Sequence, residues 1–269
     1  MFTLLIRKSI SHGRLGLFLK LTILLFLFSP ERVHGIVFSW PGSGWTSGTP
    51  GPGATVSQSF TSVTPNDITV DINNNGAAAS GGTWSPGYPA INSTNETGGF
   101  IGTNALQLFL TSQSSTSSFI KTTVFFSTPV TSLTFQIWDV DASAGQFADK
   151  IFQIQALAVG GATVGPDSVT SAVPGFNTIT GSGLSTVVLG TAGASNSTNQ
   201  GTIDISFLGP ITQFSFEWVN NDPGLGAQAI ALGPLNYLPE VSPGWFAALV
   251  CIGAVGAREI SRRKKLRVA

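Results

Sequence analysis

The chain has 269 residues and a formal net charge of 0, with thirteen basic and thirteen acidic side chains, but the basic ones crowd its two ends. Between residues 36 and 238 only Lys121 and Lys150 stand against eight Asp and two Glu, a net charge of −8 that repels phosphate backbones and excludes nucleic acid as a partner. The single cysteine (Cys251) and both histidines (His12, His34) fall in the end segments, which excludes disulfides, thiol nucleophiles, Ser-His-Asp triads and His or Cys zinc sites from the body.

Arg7, Lys8 and Arg14 precede an apolar stretch from Leu15 to Phe28, interrupted by Lys20 and Thr22, and Ser29-Pro30 ends it. This is the charged n-region and apolar h-region of a secretory signal peptide, with Val33 and Gly35 placing a cut after Gly35. An uncleaved signal anchor is the other reading, although so short a stretch with an internal lysine would span a bilayer poorly. The predicted division is a signal peptide at 1–35, Gly/Pro-rich strands and loops at 36–65, a β-sandwich at 66–238 and a C-terminal sorting signal at 239–269.

From Ile36 to Pro65 two short alternating runs (Ile36 to Trp40, Val56 to Thr61) flank PGSGWTSGTPGPG, a composition that holds turns and no helix. Asn73 to Thr103 reads as a second long loop region. Trp45, Trp84 and Tyr88 are the loop aromatics able to stack on sugar rings; a Trp near a strand end, such as Trp40 or Trp45, also serves as a cap on the core. Asn92-Ser93-Thr94, Asn95-Glu96-Thr97 and Asn196-Ser197-Thr198 match the N-glycosylation pattern and serve here as markers of surface.

Beyond Ala105 the pattern is β throughout. Leu106, Leu108 and Leu110 alternate with Gln107, Phe109 and Thr111. Leu133, Phe135 and Ile137 alternate with Thr134, Gln136 and Trp138. Phe152, Ile154 and Ala156 alternate with Gln153 and Gln155; Ile203, Ile205 and Phe207 with Asp204 and Ser206; Phe214, Phe216 and Trp218 with Ser215 and Glu217. A period of two puts one set on a core and the other in water. With turns between runs and no amphipathic helix, the expectation is an all-β fold, an antiparallel jelly-roll or Greek-key β-sandwich.

WDVDASAGQFADKI, from Trp138 to Ile151, is the stretch richest in chemistry. Asp139 and Asp141 sit two apart and Asp149 returns eight residues later, a carboxylate set suited to calcium, with Asp222 and the carbonyls near Asn220 and Asn221 as helpers. The alternative is that Asp139 and Asp141 cap a hairpin by accepting turn amides. Glu217 and Asp204 are the pair of carboxylates a glycosidase would need if their strands were adjacent. Both lie on the polar side of their runs, where solvated carboxylates are the rule, and no enzyme is expected.

The tail begins at Pro239 and Glu240, followed by Val241 and Pro243-Gly244. An apolar run from Trp245 to Ala257 comes next, and then Arg258, Arg262, Arg263, Lys264, Lys265 and Arg267. Thirteen apolar residues fall short of the ~20 that span a bilayer, and the basic cluster is the charge bias that retains a segment end in the cytoplasm. This Pro-Glu motif, short apolar helix and basic end resemble the C-terminal sorting signal of PEP-CTERM proteins, exported bacterial proteins handled by an exosortase. Val241 stands where that motif usually has proline. The resemblance implies a membrane-held precursor cut near Pro239, Glu240 and Val241; an ordinary single-pass tail anchor is the alternative. Over residues 65–237 the chain also resembles a sandwich domain recurrent in PEP-CTERM-bearing proteins.

These readings describe a non-catalytic exported protein of the cell surface or extracellular matrix. Its partners would be the membrane and an exosortase-type enzyme. The alternative is a carbohydrate-binding module, with calcium as the one cofactor the carboxylates could take.

Overall fold

The computed structural model describes residues 35–61, 66–75, 83–94, 98–112, 118–195, 197–224 and 226–240. The signal segment up to His34 and the tail from Val241 onward, with its apolar run, lie outside the described residues.

Sixteen strands follow one another: β1 (Ile36–Phe38), β2 (Thr55–Phe60), β3 (Ile68–Asn75), β4 (Thr83–Trp84), β5 (Ala90–Asn92), β6 (Ala105–Ser112), β7 (Phe119–Trp138), β8 (Ala142–Ser143), β9 (Phe147–Ala158), β10 (Thr163–Val164), β11 (Ser168–Ser171), β12 (Asn177–Thr180), β13 (Val187–Gly190), β14 (Ile203–Phe207), β15 (Ile211–Asn220) and β16 (Gln228–Pro239). A single 3₁₀ turn at Gly183–Ser185 is the one helical element among the described residues. No helix there is long and apolar enough to cross a membrane.

β7 organises the rest. Its first half, Phe119 to Phe126, pairs antiparallel with β3 on one side, and Ile120 to Phe125 with β15 on the other. Its second half pairs with β14 through Leu133 to Ile137 and with β16 through Val130 to Trp138. The strand therefore passes from one layer into the next. The back sheet runs β2-β3-β7-β15-β9-β13-β12, and the front sheet runs β11-β14-β7-β16-β6, with β4 and β5 beyond β6 and β1 on β16. At the crossing Ser132 has a φ of 51°, a left-handed conformation that costs a residue with a Cβ about 1–2 kcal/mol.

The two layers close on a core built from the apolar sets of the alternating strands. Leu133, Phe135 and Ile137 of the front sheet face Phe214, Phe216 and Trp218 of the back sheet, all of them buried. The rings of Phe135 and Phe214 stack at 4.4 Å, and Phe126 meets Tyr237 at 5.4 Å. Each such ring contributes on the order of 1.5–3 kcal/mol of transfer free energy. Trp40 is one of the expected caps: it is buried against Phe38 and Phe60, and its indole N–H donates to the Gly233 carbonyl at 2.9 Å. The fold is an all-β antiparallel sandwich, and the described residues of 36–65 belong to it, since β1 extends the front sheet and β2 the back.

Three details depart from the sequence reading. The run at 133–137 is not a strand of its own but the second half of one that begins at Phe119, because Pro129 and Ser132 redirect β7 without ending it. Phe152 does not share a face with Ile154 and Ala156. The ladder slips opposite Ser215 and Glu217, where Gln153 has a φ of 48°, so Phe152 joins the outer surface as at a β-bulge. The Asn73 to Thr103 region holds the last residues of β3 and two short strands, β4 and β5, that edge β6.

Candidate functional site

The outer face of the front sheet carries a groove of about 490 Å³, within the range typical of small-molecule sites. Its floor follows from alternation. Because Leu133, Phe135 and Ile137 point inward, Thr134, Gln136 and Trp138 point outward, and the neighbouring strands add their own outward sets in register. Ser168 of β11 lies opposite Ser206 of β14, Ser206 opposite Thr134 of β7, Thr134 opposite Asn236 of β16, and Asn236 opposite Val37 of β1. Five strands thus present one continuous, mostly polar row, roughly 19 Å long at the usual strand spacing. A second row places Thr170, Asp204 and Gln136 side by side.

One end of the groove is aromatic. Phe100 stacks on Trp138 with ring centroids 4.5 Å apart and planes 16° from parallel. Trp138 is only 1% exposed, and a Cβ on Gly233 would come within 2.9 Å of its indole, so the bare backbone there lets β16 pass beneath the ring. Its N–H donates to Gln136 Oε1 at 2.9 Å, and Gln136 Nε2 donates to Asp204 Oδ1 at 2.7 Å. Since an indole nitrogen is a donor only, this bond fixes which end of the Gln136 amide faces Asp204. Its described lining offers hydroxyls, amides, one carboxylate and an aromatic wall, and no lysine, arginine or histidine is among those residues.

None of the three aromatics proposed from sequence lines this groove. Trp45 and Trp84 pack as half-buried edges of the core, and the Trp45 indole donates within its own loop to the Gly48 carbonyl at 2.8 Å. Tyr88 sets its ring against Phe109 at 5.3 Å, and its carbonyl accepts from Thr49 Oγ1 at 2.7 Å, which ties the 41–54 loop to the 85–89 turn. The Asn92 side chain, expected as a surface marker, is half-buried and donates to Gln107 Oε1 at 2.7 Å; Asn95 and Asn196 lie outside the described residues.

Asp139, Asp141 and Asp149 are all buried near the β7–β9 connection, and Asp139 has a φ of 63°. Asp149 Oδ1 accepts the Trp218 indole N–H at 2.8 Å and Oδ2 the Asp141 backbone N–H at 3.1 Å, while the Asp149 N–H returns a bond to the Asp141 carbonyl. Asp141 Oδ2 accepts the Ala194 N–H at 2.8 Å. These bonds use Asp141 and Asp149 as acceptors for backbone and indole donors. Among the described residues no three His, Cys, Asp or Glu side chains are gathered as a metal site. Asp222 and Asn220 serve their own turn: Asp222 Oδ1 accepts the Gly224 N–H at 2.7 Å, and Asn220 Oδ1 accepts those of Asp222 and Ala148.

The carboxylate pair considered for glycoside cleavage is not on adjacent strands. Asp204 belongs to β14, which pairs with β7 and β11, and Glu217 to β15, between β7 and β9 on the opposite layer. Glu217 is not solvated either. At 9% exposure beside Lys121 and Phe152, its carboxyl has a pKa raised by burial and partly restored downward by the Lys121 charge. Phe119 and Phe152 meet edge to face at 5.8 Å on that surface, and Lys150 Nζ lies 5.5 Å from the Phe152 ring centre.

No protein-family model and no curated protein sequence matches the chain. Among solved structures it is similar to the family 11 carbohydrate-binding module of the cellulosomal cellulase Lic26A-Cel5E of Clostridium thermocellum, at 10% identity and a TM-score of 0.30, over 78% of this chain and 97% of that one. A Clostridium thermocellum family 11 module in complex with a β-1,3-1,4-mixed-linked tetrasaccharide matches at 11% identity and a TM-score of 0.27, over 70% of this chain and 89% of that one. Fold and site together define the class of the molecule: an antiparallel β-sandwich with an open polar groove across the outer face of one sheet.

Proposed function

We propose that this chain is an exported, non-catalytic surface protein whose sandwich binds carbohydrate in the front-sheet groove. What supports the reading is the composition of that groove: an unbroken row from Ser168 to Asn236 of side chains that match sugar hydroxyls, closed at one end by the Phe100–Trp138 stack. Aromatic faces bind the apolar faces of sugar rings, and the flanking hydroxyl and amide groups fix orientation. Asp204 lies in the groove and Glu217 on the other layer, so this pair does not flank one bond.

The wider setting comes from the sequence alone. Export rests on the n-region and h-region at 1–35. Retention at the membrane, and transfer by an exosortase-type enzyme, rest on Pro239, Glu240, Val241 and the basic end beyond Trp245. Jelly-roll connectivity is part of the same reading.

Affinity electrophoresis against immobilised neutral and acidic polysaccharides tests the groove. Retardation by at least one polysaccharide, weakened about tenfold by Phe100→Ala, is the expected result. Silence across the set overturns the binding reading and leaves a matrix protein. Mass spectrometry of the native C-terminus tests the sorting reading; an intact end at Ala269 in material released from the membrane overturns it.

A further inference from the structure

We infer that the groove selects neutral, hydroxyl-rich polysaccharide chains and rejects carboxylated ones, with Asp204 as the discriminating residue; this rests on the carbohydrate reading of the groove. Asp204 lies half-buried on the groove floor between Thr170 and Gln136. One of its oxygens is held by Gln136 Nε2 at 2.7 Å, and Gln136 is itself held by the Trp138 indole at 2.9 Å. This relay orients the carboxylate while using only one of its oxygens. An ionised carboxylate is an acceptor only, so what it adds to the groove is a place for O–H donors, and charge-assisted O–H···O⁻ bonds are about twice as strong as neutral ones.

The surroundings decide the sign of selection. Ser206, Thr134 and Asn236 beside it can donate to or accept from hydroxyls, and none carries charge. The two lysines of the body lie elsewhere, Lys121 on the first half of β7 and Lys150 on β9, in the back sheet. A uronic acid or carboxymethyl group entering the groove would meet the Asp204 charge with no cation among the described lining residues to offset it, between protein walls that screen less than bulk water.

The test uses the purified full chain, a panel of neutral soluble polysaccharides (laminarin, xyloglucan, galactomannan), and the carboxymethylated derivative of each. Expected is binding to at least one neutral member, with its carboxymethylated form weaker by about tenfold or more and part of that gap closing as salt rises. Asp204→Asn, nearly isosteric, is expected to weaken neutral binding by about tenfold to a hundredfold and bring the ratio of neutral to carboxymethylated affinity close to 1. A role confined to packing would lower both affinities and leave that ratio unchanged, which overturns the inference. Equal binding of both forms by the unaltered chain, or preference for the carboxymethylated one, also overturns it while leaving the carbohydrate reading in place. No binding to either form defeats both readings together. Melting curves of Asp204→Asn matching the parent exclude misfolding, and Asp204→Glu, which restores the charge, is expected to recover the discrimination in part.

Discussion

The two outer faces of the sandwich are built by the same strand yet are opposite in character. On the front face, the second half of β7 contributes Thr134, Gln136 and Trp138 to an open groove whose described lining holds one carboxylate and no cation. On the back face, the first half contributes Phe119 and Lys121, and there Phe119 and Lys150 both lie against the Phe152 ring. Glu217 is nearly buried beside Lys121 and Phe152, and Lys150 lies over the Phe152 ring. The difference teaches that period-two alternation assigns residues to a face and leaves open whether that face will be available. Availability depends on what the neighbouring strands bring to the same row: hydroxyls and amides in one case, phenyl rings and a nearly buried carboxyl beside a lysine in the other.

Three variants sharpen or break this contrast. The largest effect is expected from Phe135→Ala, which removes the ring stacked on Phe214 between the layers; a loss of about 3–5 kcal/mol should appear in urea unfolding. Because both faces share that core, groove binding and the environment of the back-face rings should disappear in one transition. Separate transitions would show that the faces are independent.

A smaller, pH-dependent effect is expected from Glu217→Gln. Burial raises the Glu217 pKa above its ordinary 4.5, so the folded state holds the proton more tightly than the unfolded chain does. Stability therefore falls as pH rises from the ordinary carboxylate range through the raised folded value. The Gln variant should lose that fall, melting above the parent at pH 7 and close to it at pH 4, with groove affinity unchanged. A lower melting temperature than the parent at pH 7 would mean that the Lys121 attraction outweighs burial.

The smallest effect is expected from Lys150→Ala. Loss of the ammonium over the Phe152 ring should cost about 0.5–1 kcal/mol, read by thermal melting, and leave glycan binding untouched. A fall in neutral glycan affinity would break the contrast by giving the back face a share in binding.

Much of this architecture is legible in the sequence, because the apolar sets at Leu106–Leu110, Leu133–Ile137, Ile203–Phe207 and Phe214–Trp218 are regular and face the core as alternation requires. The groove is harder to read. Thr134, Gln136, Asp204, Ser206 and Asn236 are visible singly as outward residues, but ladders joining segments some seventy to one hundred residues apart bring them into rows, and no local pattern encodes that pairing. The aromatics Trp45, Trp84 and Tyr88 drew attention as loop residues, whereas the stacked pair is Phe100 and Trp138, whose closeness follows from a loop folding over β7. Asp141 and Asp149 show the converse: a spacing suggestive of calcium also suits carboxylates that hold backbone and indole donors where a hairpin meets the core.

The end of β16 has a mechanical meaning. Leu238 lies opposite Thr131, Pro239 opposite Val130, and the Glu240 N–H donates to the Pro129 carbonyl at 2.9 Å, so the last described residues sit at the place where β7 changes layers. Tension applied beyond Glu240 would enter the molecule along β16, a strand clamped by β7 on one side and by β6 and β1 on the other. Such a load would shear several ladders at once instead of opening them one rung at a time.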